Sequence, residues 1–188
     1  MLPHTLSGPP GAMLLGTGTV GPEAKAAFER LPYLCGCLVM VHDHGDGYVR
    51  ATPDGRADIE YWFAPDAVAM IKNALVRTAE VLMAGGATEV FAPIHGMEGT
   101  HTDLASFDAA LQRTDIHDFS LYAAHPMATC RMGADPKTSV VGPDGEAHGL
   151  PGLYLADSSV FPTSLGVNPQ LTTMAVATVI ARGILAAA

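Results

Sequence analysis

The sequence predicts an α+β fold, a mixed or mostly antiparallel sheet with helices on one face. Three observations carry that prediction. Apolar residues run or alternate over 33–41, 48–53 and 57–63, with turn chemistry between the first two. The clearest helical periodicity comes only after these three, over "PDAVAMIKNALVRTAEVLMAGG" (65–86). The next stretch, "TEVFAPI" (88–94), is strand-like again, so the order is strand, strand, strand, helix, strand.

Taken in order, residues 1–21 are rich in Gly, Pro and Thr and read as irregular. "PEAKAAFERL" from Pro22 is built of helix formers. "YLCGCLVMV" (33–41) reads as a buried strand, "HDHGDG" (42–47) as a turn, and "YVRATP" as its hairpin partner. "ADIEYWF" alternates and makes a third strand. The long helix starts with Pro65 and Asp66, repeats apolar residues at 68, 71, 75, 79 and 82, and stops at Gly85-Gly86. A polar stretch (95–120) precedes "FSLYAAHPMATCRMG", the turn "GPDGE", the strand "LYLAD" and a loop. The closing helix starts with Asn168 as cap and Pro169 at the first helical position.

Composition narrows the function. The chain has 188 residues, 48% of them hydrophobic and 15% charged, enough apolar material for a buried core. A net charge of −9 with scattered basic residues argues against nucleic acid, because phosphate neutralisation needs clustered Lys and Arg. Three cysteines make no paired framework, which fits a reducing compartment and a cytoplasmic location. The run 171–188 approaches the length of a membrane span, but Arg182 and its alanines make it a weak one. A tightly packed internal helix, with Ala175, Ala177 and Ala181 against another backbone, is expected instead, and no membrane span.

Four groups of residues could carry chemistry. "GTGTVG" (16–21) fits the dinucleotide fingerprint in letters only. The run before it is short, Pro22 falls where the helix should already be turning, and the following strand leads into a hairpin. Cys35 and Cys37 with His42 and His44 do not have the knuckle spacing of a structural zinc site, and read as core thiols and turn histidines. Ser158, Ser159 and Ser164 lie near His125 in sequence, yet no G-x-S-x-G elbow is present, so a hydrolase has little support. His125, held extended by Pro126 at the end of an apolar run, suits general base work, and Asn168 lies 43 positions on.

The tail from "AAHPMATCRMG" through "GLYLADSSVFP" and "GVNPQLT" to Ala181 resembles, over some sixty residues, the carboxyl-terminal part of the glucose–methanol–choline (GMC) flavin oxidoreductases. The wording "GADPKTSVV" and "FPTSLGVNPQ" is closest to that family's long-chain fatty alcohol oxidases. Upstream, 45–91 is similar to the family's substrate-domain hairpin and helix. Ala128 departs from the pattern, which usually has Gly before Thr-Cys.

The resemblance implies a GMC substrate-domain-like unit over 1–120 and a catalytic, flavin-facing segment over 121–188, packed as one compact body. It also implies oxidation of an alcohol, expected to be hydrophobic, by hydride transfer to N5 of FAD. His125 would take the hydroxyl proton, and Asn168 would hold the same oxygen. Asp157 and Ser158 would lie near the ribityl and phosphate part of FAD. Asn168, Pro169 and Gln170 would bring the start of the last helix to the ring. The amino-terminal dinucleotide-binding unit of such enzymes has no counterpart in this sequence, so the chain reads as their carboxyl-terminal portion, inactive alone. An amino-terminal FAD-binding partner chain, or a homo-oligomer, would complete it. The alternatives are a stand-alone binding module that keeps the fold without the cofactor and, behind it, a hydrolase.

Overall fold

A computed structural model of the chain describes residues 2–5, 20–43, 46–97, 99–121 and 123–187. Most of "GTGTVG" and His44 lie outside the described residues. The rest combines helices with small antiparallel sheets, as the α+β class requires. Four strands are present among the described residues, β1 (Leu2–Thr5), β2 (Cys37–Met40), β3 (Asp46–Ala51) and β4 (Ala57–Trp62). The α-helices are α1 (Gly21–Arg30), α2 (Pro65–Ala84), α3 (Leu104–Gln112) and α4 (Gln170–Ala187).

Strand pairing differs from the sequence expectation. β2 pairs antiparallel with β1, Leu2 opposite Met40, inside a region read as irregular. β3 pairs with β4, Asp46 opposite Trp62, so the hairpin lies one strand later than expected. Its reversal is "TPDG": Gly55 adopts φ +80 and its N–H donates to the Thr52 carbonyl at 2.9 Å. The strand expected at 88–94 reduces to single bridges, Val90 with His101 and Ile94 with Phe119, interrupted by Pro93, which has no N–H to give. The strand expected at "LYLAD" likewise reduces to a bridge between Tyr154 and Glu146.

Contacts divide the chain into two compact units, 1–41 with 65–122 and 42–64 with 123–188. The hairpin therefore belongs with the His125-containing segment. In the first unit α2 turns a stripe of small residues inward, with Ala67, Ile71, Ala74, Thr78 and Ala79 buried. Leu75 and Leu82 pack beside that stripe against the apolar cluster that includes Phe107 and Leu111 of α3. α3 lies within the stretch read only as polar. It starts at Asp103, whose carboxylate accepts from Ser106 N at 2.8 Å, and Leu104, Phe107 and Leu111 follow at helical spacing. The thiol-bearing strand β2 is half-buried rather than buried, and Cys35 is exposed.

The second unit has a smaller core: Val141, Ala147, Val160 and Phe161, with Met132, Leu155 and Val176 against them. Contrary to the expected internal packing, Ile180 is the only buried residue of α4 among those described. It closes on Gly145, which must be glycine: φ is +85, and a Cβ there would lie 2.7 Å from Ile180 Cδ1. Ala175 and Ala181 face solvent, as do Leu171, Val179 and Leu185. Over its 18 residues α4 has a mean hydropathy of 1.4, so by length and composition it is sufficient to cross a bilayer.

Candidate active site

The site is built from three chain segments, all within the second unit. The first follows His125. Pro126 keeps that part of the chain from coiling, and the N–H groups of Ala128, Cys130 and Met132 donate to the carbonyls of Ser158, Ser159 and Val160, at 3.4, 2.9 and 2.8 Å. The N–H groups at 128, 130 and 132 thus reach successive carbonyls of a short 3-10 turn, Ser158–Val160. Asp157 starts that turn, its carboxylate accepting from Ser159 N at 2.7 Å.

The third segment is the start of α4. The helix begins at Gln170, one residue later than the sequence expectation, and the buried Pro169 supplies the first carbonyl, accepting from Thr173 N at 2.8 Å. The Thr173 hydroxyl donates to the same carbonyl at 2.9 Å, so the Ser158 hydroxyl, 2.8 Å from Thr173 Oγ1, is the donor between those two. One hydroxyl chain therefore ties the 3-10 turn to the helix. Asn168 is exposed, and its side chain takes no part in capping. The N–H groups of Gln170, Leu171 and Thr172 have no carbonyl a turn earlier within the helix.

His125 is half-buried, and among the described residues neither its ring nor the Asn168 amide makes a side-chain hydrogen bond. The structure thus joins the segments that carry His125, Asp157, Ser158, Pro169 and Gln170. It leaves the His125 imidazole and the Asn168 amide without local duties, while Asp157 and Ser158 already hold the turn and the helix. Pro169 has no N–H, so it contributes position and its carbonyl only.

Beside these segments an open cleft of about 600 Å³ separates β3 and β4 from the chain at 127–140. Ala128, Arg131 and Lys137 line one wall, and Tyr48, Glu60 and Tyr61 the other; neither His125 nor Asn168 does. The Tyr48 phenol donates a hydrogen bond to the Glu60 carboxylate, which holds that group above its usual range. Ala128 has φ +68, the only left-handed residue other than glycine among those described. Its methyl lies in the cleft wall, on a backbone that glycine adopts without strain. His148, not singled out by the sequence, fastens the loop 133–139 by contacts to Ser139 Oγ at 3.0 Å and the Gly133 carbonyl at 3.1 Å.

The sequence profile described as "GMC oxidoreductase" matches residues 43–177. The chain belongs to the GMC oxidoreductase family. It is 33% identical over 181 residues to an uncharacterized GMC-type oxidoreductase of Mycobacterium tuberculosis, covering 96% of this chain and 28% of that protein. It is also 33% identical over 150 residues to a long-chain-alcohol oxidase of Arabidopsis thaliana, covering 74% of this chain and 20% of the relative. In fold it is similar to pyridoxine 4-oxidase from Mesorbium loti, with a TM-score of 0.51 at 24% identity over 76% of this chain and 28% of that one. The GMC chain described here thus spans less than a third of these relatives, and corresponds to the family's carboxyl-terminal domain. GMC oxidoreductases are FAD flavoproteins. Among the described residues, no side chain caps the three N–H groups at the start of α4.

Proposed function

We propose that this GMC domain is the substrate-binding and catalytic portion of an FAD-dependent alcohol oxidoreductase acting on a hydrophobic alcohol. The observation that carries the reading is the hydrogen-bonded zipper. Backbone bonds from 128, 130 and 132 to 158–160, continued by the hydroxyls of Ser158 and Thr173, fix the His125 loop to the Asn168 helix start. Two side chains left without local partners flank that tie, and both are suited to one hydroxyl group.

An alcohol releases hydride readily only as its oxygen becomes negative. His125 accepts the hydroxyl proton at a ring nitrogen, and the Asn168 amide N–H donates to the same oxygen as its charge grows. The open N–H groups of Gln170, Leu171 and Thr172, with Asp157 and Ser158 nearby in the chain's fastening, would hold FAD. When bound, FAD supplies the acceptor for the hydride. The preference for a hydrophobic alcohol rests on the resemblance to long-chain-alcohol oxidases and on the apolar side chains of Val49 and Ile59 in the adjacent cleft.

Because most of such an enzyme lies outside this domain, activity requires an amino-terminal FAD-binding portion. In the enzyme reconstituted with it, His125→Ala is expected to slow flavin reduction by an alcohol about a hundredfold or more, with FAD affinity kept. Parallel loss of FAD binding and of reduction would make His125 a structural residue and remove the reading. FAD-free material that stays colourless and inert with every such partner would point instead to a non-catalytic binding module.

A further inference from the structure

The sequence "CGC" at 35–37 is used neither by the core nor by the alcohol site. Leu34 is extended (φ −90, ψ 132) and Cys37 opens β2 opposite Thr5. Side chains two residues apart on extended backbone leave from the same side, and Gly36 places nothing between them. Both thiols are free; Cys35 is exposed and Cys37 half-buried. Burial, then the charge of Cys35, pushes the Cys37 thiol up from its ordinary range.

We propose that Cys35 and Cys37 form a vicinal dithiol, a modification site that hydroperoxides close to an intramolecular disulfide and that trivalent arsenicals bridge. The exposed Cys35 thiolate attacks the terminal peroxide oxygen. The O–O bond breaks, Cys35 becomes a sulfenic acid, and the departing oxygen leaves as water or, from an organic peroxide, as an alcohol. Cys37 then gives up its proton and attacks the Cys35 sulfur. The S–S bond forms as the S–O bond breaks, and water leaves with that proton. Two electrons pass from the thiols to one peroxide, so no further oxidant is needed.

Residues two apart on a strand have Cα atoms near the upper end of the disulfide range, so closure must pucker the chain at Gly36. A disulfide held under such strain is easily reduced, which makes the site reversible. The third thiol, Cys130, belongs to the other unit and is the internal control. The proposal does not depend on the reading of the alcohol site.

The test is intact-mass spectrometry of the reduced chain treated with one equivalent of hydrogen peroxide. The expected product has lost two hydrogens, maps to a peptide linking 35 and 37, and is restored by dithiothreitol. Phenylarsine oxide is expected to bind one per chain and to block the reaction. Cys130→Ser should leave both results intact, whereas Cys37→Ser should abolish them and leave a sulfenic acid on Cys35 that dimedone captures. Addition of oxygens to Cys35 with no loss of hydrogens, a disulfide that persists in Cys35→Ser, or linkage between chains would each overturn it.

Discussion

The two compact units hold together by different means, and the contrast explains where the chemistry can sit. In the first unit α2 and α3 bury a continuous apolar cluster, with Phe107 2% and Leu111 0% exposed. Helix on helix satisfies its own backbone, so side-chain packing sets its stability. The second unit has long loops, bridged by single backbone bonds around a cluster of four buried apolar residues. Loops held by hydrogen bonds can place isolated side chains such as His125 and Asn168 at loop edges, which a packed helix pair cannot. They also leave large apolar side chains outside, Ile59, Trp62, Leu171 and Leu185 among them. Such a surface is the kind another protein domain covers.

That contrast can be broken deliberately. The largest effect is expected at Leu111, where truncation to Ala costs about 3 kcal/mol by loss of burial and by the cavity left behind. Hydrogen exchange should rise through α2 and α3 while 128–160 keeps its protection. Val160→Ala comes next, at about 2 kcal/mol, with the opposite pattern, since Val160 both fills the second core and accepts from Met132 N. Loss of protection in both units from either substitution would show that the contrast is not real.

Smaller effects sharpen the comparison. Ala128→Gly is expected to stabilise by about 1 kcal/mol, read as a higher urea midpoint, because it removes a left-handed alanine. No change there would mean that the surrounding zipper, not the residue, sets that backbone. The smallest effect is expected at Asp103, whose carboxyl the Ser106 N–H holds below its ordinary value. A depressed folded-state value means the contribution is complete above the ordinary carboxylate range and is lost as pH falls through the folded value. Asp103→Asn keeps a capping oxygen without the charge. The difference in midpoint between wild type and this variant should therefore be largest near neutrality and shrink on acidification below about pH 4.

Much of the local structure was legible. α2 follows from its periodicity, Pro65 and the glycine pair, although its buried stripe runs through the alanines at 67, 74 and 79 beside the larger residues. α3 falls in a stretch that reads as polar, because polar neighbours hide its signal of an Asp cap followed by apolar residues at 104, 107 and 111. The strand partners differ from the sequence expectation because alternation says that a segment is extended, never to which segment it bonds. For the candidate site, the ordered motifs offer His125, Asp157 and the Asn168 helix start only as candidates. They did not reveal that Ser158 and Asp157 already serve the fold, nor that His148 anchors the cleft loop.

By itself the sequence determined the family, the long helices, the turns and the residue types at the candidate site, since each depends on neighbours a few positions apart. Only the tertiary structure decided which strands pair, that the helix cap falls on Pro169 rather than Asn168, and that α4 stands largely uncovered. Those outcomes turn on hydrogen bonds and burial between residues far apart in the chain, such as Met132 with Val160 and Gly145 with Ile180. Such pairs are chosen by the energy of the whole folded arrangement, and no local pattern records them.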